Sequence, residues 1–137
     1  MTREHLLRFP KFEDSNGTLS IYEGNNHVPF DIKRVFTVSA NQGDIRGKHA
    51  HKTCAQLLVC VSGKICVRCD DGTAIRDQIL DEMSLGLQIP FGIWSQQEFL
   101  MDGSVLMVLC DHPYEEADYL RSYDLFTHFI QSSKITK

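Results

Sequence analysis

The chain has 137 residues, 42% hydrophobic and 23% charged, with a net charge of −4 and a pI near 5.8. That length suits a single domain over residues 1–137, and the acidic balance sets up no basic field for nucleic acid. No apolar run approaches the ~20 residues that span a bilayer, and Met1 to Pro10 holds no apolar signal core, so no membrane partner and a cytoplasmic location are expected.

Taken in order, the chain reads as short strands between turns. Asp14-Ser15-Asn16-Gly17 is a turn, because Asn-Gly tolerates positive φ. Thr18 to Glu23 alternates as a strand, and Gly24-Asn25-Asn26 turns again. Lys33 to Ser39 reads as a strand and Ala40 to Gly43 as a loop. Gln56 to Val61 is apolar enough for a buried strand, and Ser62-Gly63-Lys64 turns it into Ile65 to Cys69. Asp70-Asp71-Gly72 signals a hairpin back into Thr73 to Leu80. Leu85 to Ile89 leads to the turn Pro90-Phe91-Gly92, and Ser104 to Cys110 is a core strand. Only Asp118 to Ser132 has helix-like spacing, as one helix or as a loop and then a short helix from Asp124. Strands and turns in this number point to an all-β sandwich or barrel.

Five cysteines (Cys54, Cys60, Cys66, Cys69, Cys110) in a chain without an export signal make a disulfide framework unexpected. Cys66-Val67-Arg68-Cys69 has C-x-x-C spacing, but in a strand residues three apart face opposite sides. Buried, reduced thiols are the expectation.

The densest chemistry is Arg46-Gly47-Lys48-His49-Ala50-His51-Lys52. In a strand His49 and His51 share one face, with Arg46, Lys48 and Lys52 on the other or at a bend near Gly47. Five residues separate Gly43 from His49, four separate His51 from Gln56, and six separate Gln56 from Gly63. This spacing resembles the first signature of the cupin superfamily, a small antiparallel jelly roll with its site inside the barrel. The second cupin signature is answered by Pro90-Phe91-Gly92-Ile93-Trp94-Ser95. There Ser95 stands in place of a metal-binding histidine, Phe99 in place of an asparagine, and Gln56 in place of the glutamate. An amide and a hydroxyl are poor transition-metal partners, so no metal is expected. Two inward histidines then need other partners or a ligand, and neutral imidazole is the usual proton-transfer group. Arg34 and Arg46 are candidates for an anionic ligand, and Trp94 for a sugar or base.

The basic His49/His51 run, followed by Gln56-x-Leu58-Val59-Cys60-x-x-Gly63, resembles the cupin-type sugar-nucleotide 3,4-ketoisomerases, the WxcM-like family. Asp14-Ser15-x-Gly17-x-Leu19, Pro29-Phe30-x-Ile32-Lys33-Arg34-Val35, Trp94 and Asp118-Tyr119-x-Arg121-x-Tyr123-Asp124 fit it too, in order through nearly the whole chain. The resemblance implies a cupin jelly-roll barrel with a short C-terminal helix and a dTDP-linked 4-keto-6-deoxy sugar as substrate. The carbonyl would move from C4 to C3 without cofactor or metal, on the way to 3-amino sugars of surface polysaccharide. It also implies a homodimer paired through N-terminal strands, with Thr18 to Glu23 available for this. It makes His49 and His51 catalytic and Arg46 a substrate-site residue, with Arg34, Gln56 and Trp94 near the pocket and Asn16 and Ser95 at its edge. Some members carry tyrosines at the places of Phe36 and Thr37, so no phenol donor is assigned there.

The reaction needs one base to take the C3 proton, giving an enediolate, and a partner to donate a hydrogen bond or shuttle a proton. His51 is taken as base and His49 as partner, although the sequence does not decide the order. The rival readings are a jelly-roll sugar-nucleotide epimerase and a non-catalytic sugar-nucleotide-binding cupin.

Overall fold

The computed structural model describes residues 3–135, with side chains through residue 133; the ends of the domain expected over 1–137 lie outside the described residues. Strands run β1 (His5–Arg8), β2 (Lys11–Asp14), β3 (Gly17–Ser20), β4 (Arg34–Ala40), β5 (Ile45–His51) and β6 (Gln56–Ser62). They continue as β7 (Ile65–Asp70), β8 (Ile75–Leu80), β9 (Leu85–Ile89), β10 (Trp94–Phe99), β11 (Ser104–Cys110) and β12 (Tyr119–Leu120). Helix α1 (Tyr123–Ile135) follows. The class is all-β with one short C-terminal helix. Among the described residues no helix is long and apolar enough to cross a membrane.

One five-stranded sheet has the order β1-β9-β6-β11-β4 and the other β12-β5-β10-β7-β8, while β2 and β3 form a separate hairpin. The main core lies between the two sheets. Leu58, Leu106 and Val108 enter it from the first, Ile65, Val67 and Phe99 from the second. Antiparallel sheets packed face to face in this way are the frame of a jelly roll.

The apolar run in β6 is explained by burial on both sides. Leu58 and Cys60 face the main core, whereas Leu57 and Val59 face outward under Phe9 and Val28 of the N-terminal segment. β11 behaves alike, with Leu106 and Val108 inward and Leu109 outward. In β7 the period-two pattern puts Cys69 in the core and leaves Cys66 half-buried on the other face. All five cysteines are free thiols, and Cys66 and Cys69 do not converge.

One expectation is revised, one strand had no expectation, and one pair of alternatives is decided. The strand expected over Thr18 to Glu23 is shorter, pairing as Gly17–Ser20 with a strand the sequence pattern did not signal, Lys11–Asp14. The run Trp94–Phe99 is a central strand, flanked by β5 and β7. The stretch from Asp118 follows the second alternative: one 3₁₀ turn (Glu116–Asp118), then β12, then the helix. Ser122 sets that helix start, since its Oγ accepts a hydrogen bond from Leu125 N–H at 3.1 Å. Phe126 and Ile130, one turn apart, then pack with Ala50 and Leu120 on the outer face of the second sheet.

Candidate active site

A bulge in β5 sets the geometry of the site. His49 pairs with Ser95 and Gly47 with Gln96, so the ladder slips by one residue at Lys48. Lys48 takes a left-handed φ of 59° and Gly47 one of 89°. A side chain at Gly47 would not fit, because its Cβ would lie 2.6 Å from Gln97 Oε1. The slip reverses the parity of the strand. Arg46 pairs with Gln97 and His49 with Ser95, and Ser95 and Gln97 share one face of β10. Arg46 therefore joins His49 inside, where unbroken alternation would have placed it outside.

These side chains enclose a cavity of about 230 Å³. Its polar wall is Arg46, His49, Gln56, Gln97, Tyr119 and Arg121; Phe36, Leu58, Leu106 and Val108 supply the apolar wall. Pockets that enclose a drug-sized ligand measure roughly 300–1,000 Å³. This one has room for a monosaccharide and leaves anything attached to it at the mouth.

His51 is 5% exposed and meets both neighbours on that wall. Its ring centroid lies 5.1 Å from that of His49, edge to face, and 4.4 Å from that of Tyr119. Tyr119 is brought there by β12, where it pairs directly with His51. His51 Nδ1 lies 2.9 Å from Asp118 Oδ2. The Asp118 carboxylate also accepts from Thr53 N–H at 2.7 Å, Thr53 Oγ1 at 2.6 Å and Cys54 N–H at 3.3 Å. A carboxylate can only accept from the ring, so Nδ1 carries the hydrogen and Nε2 the lone pair. His51 Nε2 is buried and has no partner.

Electrostatics keep both rings neutral. Burial, helped by the nearby His51, pushes His49 down to about 4. Burial also lowers His51, and the hydrogen bond to Asp118 opposes without reversing it. Burial pushes Asp118 up, but hydrogen bonds from Thr53 and His51 hold it below the usual carboxylate range. The site thus holds a neutral base beside an ionised carboxylate, the arrangement that accepts a proton from carbon at neutral pH.

The expected site residues are only partly brought together. His49, Arg46 and Gln56 line the cavity, and His51 packs against two of its wall residues, His49 and Tyr119, without lining it itself. Ser95 faces inward opposite His49 and is buried, its hydroxyl accepting from Gln97 Nε2 at 3.2 Å. Arg34 does not line the cavity; its Nη1 donates to Tyr119 Oη at 3.3 Å, and its Nε is buried without a partner. Trp94 is a correction. Alternation turns it to the outer face of β10, where it packs on Tyr123 and Phe126 beneath α1. Asn16 is a second correction, since it sits in the β2–β3 turn among Phe12 and Leu19, apart from the cavity. Asp118, Tyr119, Arg121 and Gln97 were not assigned roles from the sequence. The signal for three of them was the run Asp118-Tyr119-x-Arg121, obscured by a helix-like reading.

The cupin metal positions do not fit a metal. Gln56 Nε2 is turned to Cys110 Sγ at 3.5 Å and Ser95 is engaged by Gln97. Elsewhere His51, Cys54 and Asp118 offer donor atoms within 4.8 Å of one another, but the Asp118 carboxylate is already taken by the contacts above.

An antiparallel sandwich with a polar cavity between its sheets, and a carboxylate-oriented histidine packed against the wall of that cavity, defines a site of the cupin class. The chain belongs to the FdtA family, described as WxcM-like, C-terminal, whose profile matches residues 2–131. It is 38% identical over 133 residues to a TDP-4-oxo-6-deoxy-alpha-D-glucose-3,4-oxoisomerase of Aneurinibacillus thermoaerophilus, covering 96% of each chain. Among solved structures it resembles QdtA, a sugar 3,4-ketoisomerase from Thermoanaerobacterium thermosaccharolyticum in complex with TDP. That match has 32% identity, a TM-score of 0.91 and 96% coverage of both chains. A mutant of QdtA with one histidine replaced by asparagine, in complex with TDP-4-keto-6-deoxyglucose, matches at 31% identity, a TM-score of 0.92 and 96% coverage of both chains.

Proposed function

We propose that this chain is a sugar-nucleotide 3,4-ketoisomerase that converts dTDP-4-keto-6-deoxy-D-glucose to the 3-keto sugar by proton transfer through an enediolate. The similar proteins bearing that activity cover almost the whole chain. The observation that carries the mechanism is the neutral His51, held by Asp118 with its Nε2 unpartnered.

His51 Nε2 removes the C3 proton, which is acidic because it is α to the C4 ketone. His49 donates a hydrogen bond to the oxygen that gains charge, in a cavity whose apolar wall includes Phe36 and Leu58. The proton returns at C4 and one proton passes between the two oxygens. Arg46 and Arg121 at the cavity wall supply positive charge for the nucleotide diphosphate. Gln56 and Ser95 complete the sugar pocket. No metal takes part. The chain works as one domain within a cytoplasmic homodimer, and its five free thiols suit a reducing compartment.

Product analysis tests this reading. The 3-keto sugar is the expected product. A carbonyl retained at C4 with an inverted neighbour makes the chain an epimerase, and a sugar bound but unchanged makes it a binding module. Activity should survive a chelator; about one zinc, iron or manganese per chain, with activity lost to the chelator, contradicts the metal-free mechanism.

A further inference from the structure

Moving a carbonyl from C4 to C3 requires two proton transfers, one between carbons and one between oxygens. His51 serves the carbons, and the oxygens need a group that both gives and takes a proton. Phe36 leaves its wall of the cavity without a hydroxyl, whereas Tyr119 brings one. The Tyr119 ring lies 4.4 Å from His51 and 5.2 Å from His49, centroid to centroid, and it lines the cavity. Its Oη accepts from Arg34 Nη1 at 3.3 Å, and its own hydrogen has no acceptor among the described residues. The Arg121 guanidinium lies 4.1 Å from the ring centroid and is itself fixed by two hydrogen bonds to Glu116, of 2.7 and 2.9 Å. Two cations thus attend a phenol that is free to donate.

We infer that Tyr119 is a further catalytic residue, its hydroxyl carrying the proton between O3 and O4 of the sugar. The inference rests on the isomerase reading. The steps balance without any outside reagent. His51 Nε2 takes the C3 proton, and the electron pair of the C–H bond leaves negative charge on O4. The Tyr119 hydroxyl gives its proton to O4, and the phenolate, held by Arg34, takes the proton of the C3 hydroxyl. Charge now lies on O3, His51 returns its proton to C4, and the C3 carbonyl forms. One C–H bond breaks at C3 and one forms at C4; one O–H bond breaks at O3 and one forms at O4. Imidazole and phenol end as they began.

The test compares wild type with Tyr119→Phe on dTDP-4-keto-6-deoxyglucose in D2O, following both 3-keto product and exchange at C3. Wild-type turnover comes first, because its absence refutes the isomerase reading and not this assignment. With an active wild type, Tyr119→Phe should lose roughly 100-fold or more in kcat, the size of a lost acid–base group. It should still exchange the C3 hydrogen and bind dTDP within about threefold of wild type. Turnover within about threefold of wild type overturns the assignment. Parallel loss of exchange and turnover also overturns it, because the residue would then serve the carbon step. Should Tyr119→Phe fail to fold, Tyr119→3,5-difluorotyrosine keeps the shape and makes the phenol more acidic. The alkaline limb of its kcat–pH profile should move to lower pH, and an unmoved limb refutes the shuttle.

Discussion

Asp118 Oδ2 stands 2.9 Å from His51 Nδ1, on a carboxylate whose other oxygen is fixed by the Thr53 backbone N–H and hydroxyl. The chain between the two residues is long, yet the pairing of β12 with β5 makes them neighbours. The contact does more than hold a ring, because it decides which nitrogen carries the lone pair.

Asp118→Asn should therefore remove activity without removing the fold. The two donors from Thr53 on Oδ1 demand an oxygen there, so the new amide turns its NH2 to His51 and gives up the longer bond from Cys54 N–H. Nδ1 must then accept, and the hydrogen moves to Nε2, where the base is needed. We expect kcat to fall by ~10²–10⁴ with dTDP affinity unchanged. Steady-state kinetics beside calorimetric titration with dTDP decides this, and wild-type kcat would show that the tautomer does not matter.

Acid should weaken both the fold and the activity, and the direction follows from the lowered histidines. His49 ordinarily titrates near 6.5 and is held near 4 in the fold, so the unfolded chain binds its proton first. Stability is complete above pH 6.5 and is lost as pH falls towards 4, by on the order of 3 kcal/mol for this one ring. The lowered Asp118 acts in the same direction, since its hydrogen bonds need the carboxylate. Denaturant melts at pH 7.5, 6 and 5 should show a falling midpoint. The acid limb of kcat/KM should lie below 6.5, because His51 is lowered as well. A midpoint that rises on acidification would reverse the assignment of neutral rings.

Much of the frame was legible in the sequence, and what escaped has physical causes. β6 and β11 read correctly because both their faces are apolar, one in the main core and one under the N-terminal segment. β10 hid because its inward positions, Ser95 and Gln97, are polar where they face the site. The same parity sends Trp94 under α1, and a lone tryptophan cannot announce its face. The His49/His51 pair was readable from spacing. Arg46 was expected on the other face or at a bend near Gly47, and the bulge residue Lys48 inverts the side chains before it, which turns Arg46 inward. Asp118 was hidden by the helix-like reading of its run and by distance, because only the pairing of β12 with β5 carries its carboxylate to His51.

A homodimer should form through the N-terminal hairpin. Phe12 and Leu19 in β2 and β3 are 62% and 56% exposed, and β4 is an open edge of the first sheet. Covering apolar side chains and an unpaired edge favours a second copy. Light scattering at micromolar concentration should return twice the chain mass, and Phe12→Asp should shift it towards the monomer. A monomeric wild type contradicts the pairing.

Alkylation should separate the cysteines by burial. Cys54, Cys60, Cys69 and Cys110 are buried, while Cys66 is half-buried on the outer face of β7. Burial, with Asp77 and Glu98 nearby, raises the Cys66 thiol, so its labelling should be slow at neutral pH and faster in alkali. Mass spectrometry of native protein should find one label at Cys66 before any other, and five after denaturation. Early labelling of Cys110 would mean that the core between the sheets opens.

The central claim is that His51 breaks the C3–H bond of the sugar, and the fate of a label at that carbon tests it most directly. Wild type and His51→Asn would each receive the 4-keto substrate deuterated at C3, with the label followed by NMR. Wild type should lose deuterium from C3 in step with formation of the 3-keto sugar, while His51→Asn binds the nucleotide but keeps its label, its rate down by roughly 10²–10⁴. Release of the label by His51→Asn at the wild-type rate would contradict the account.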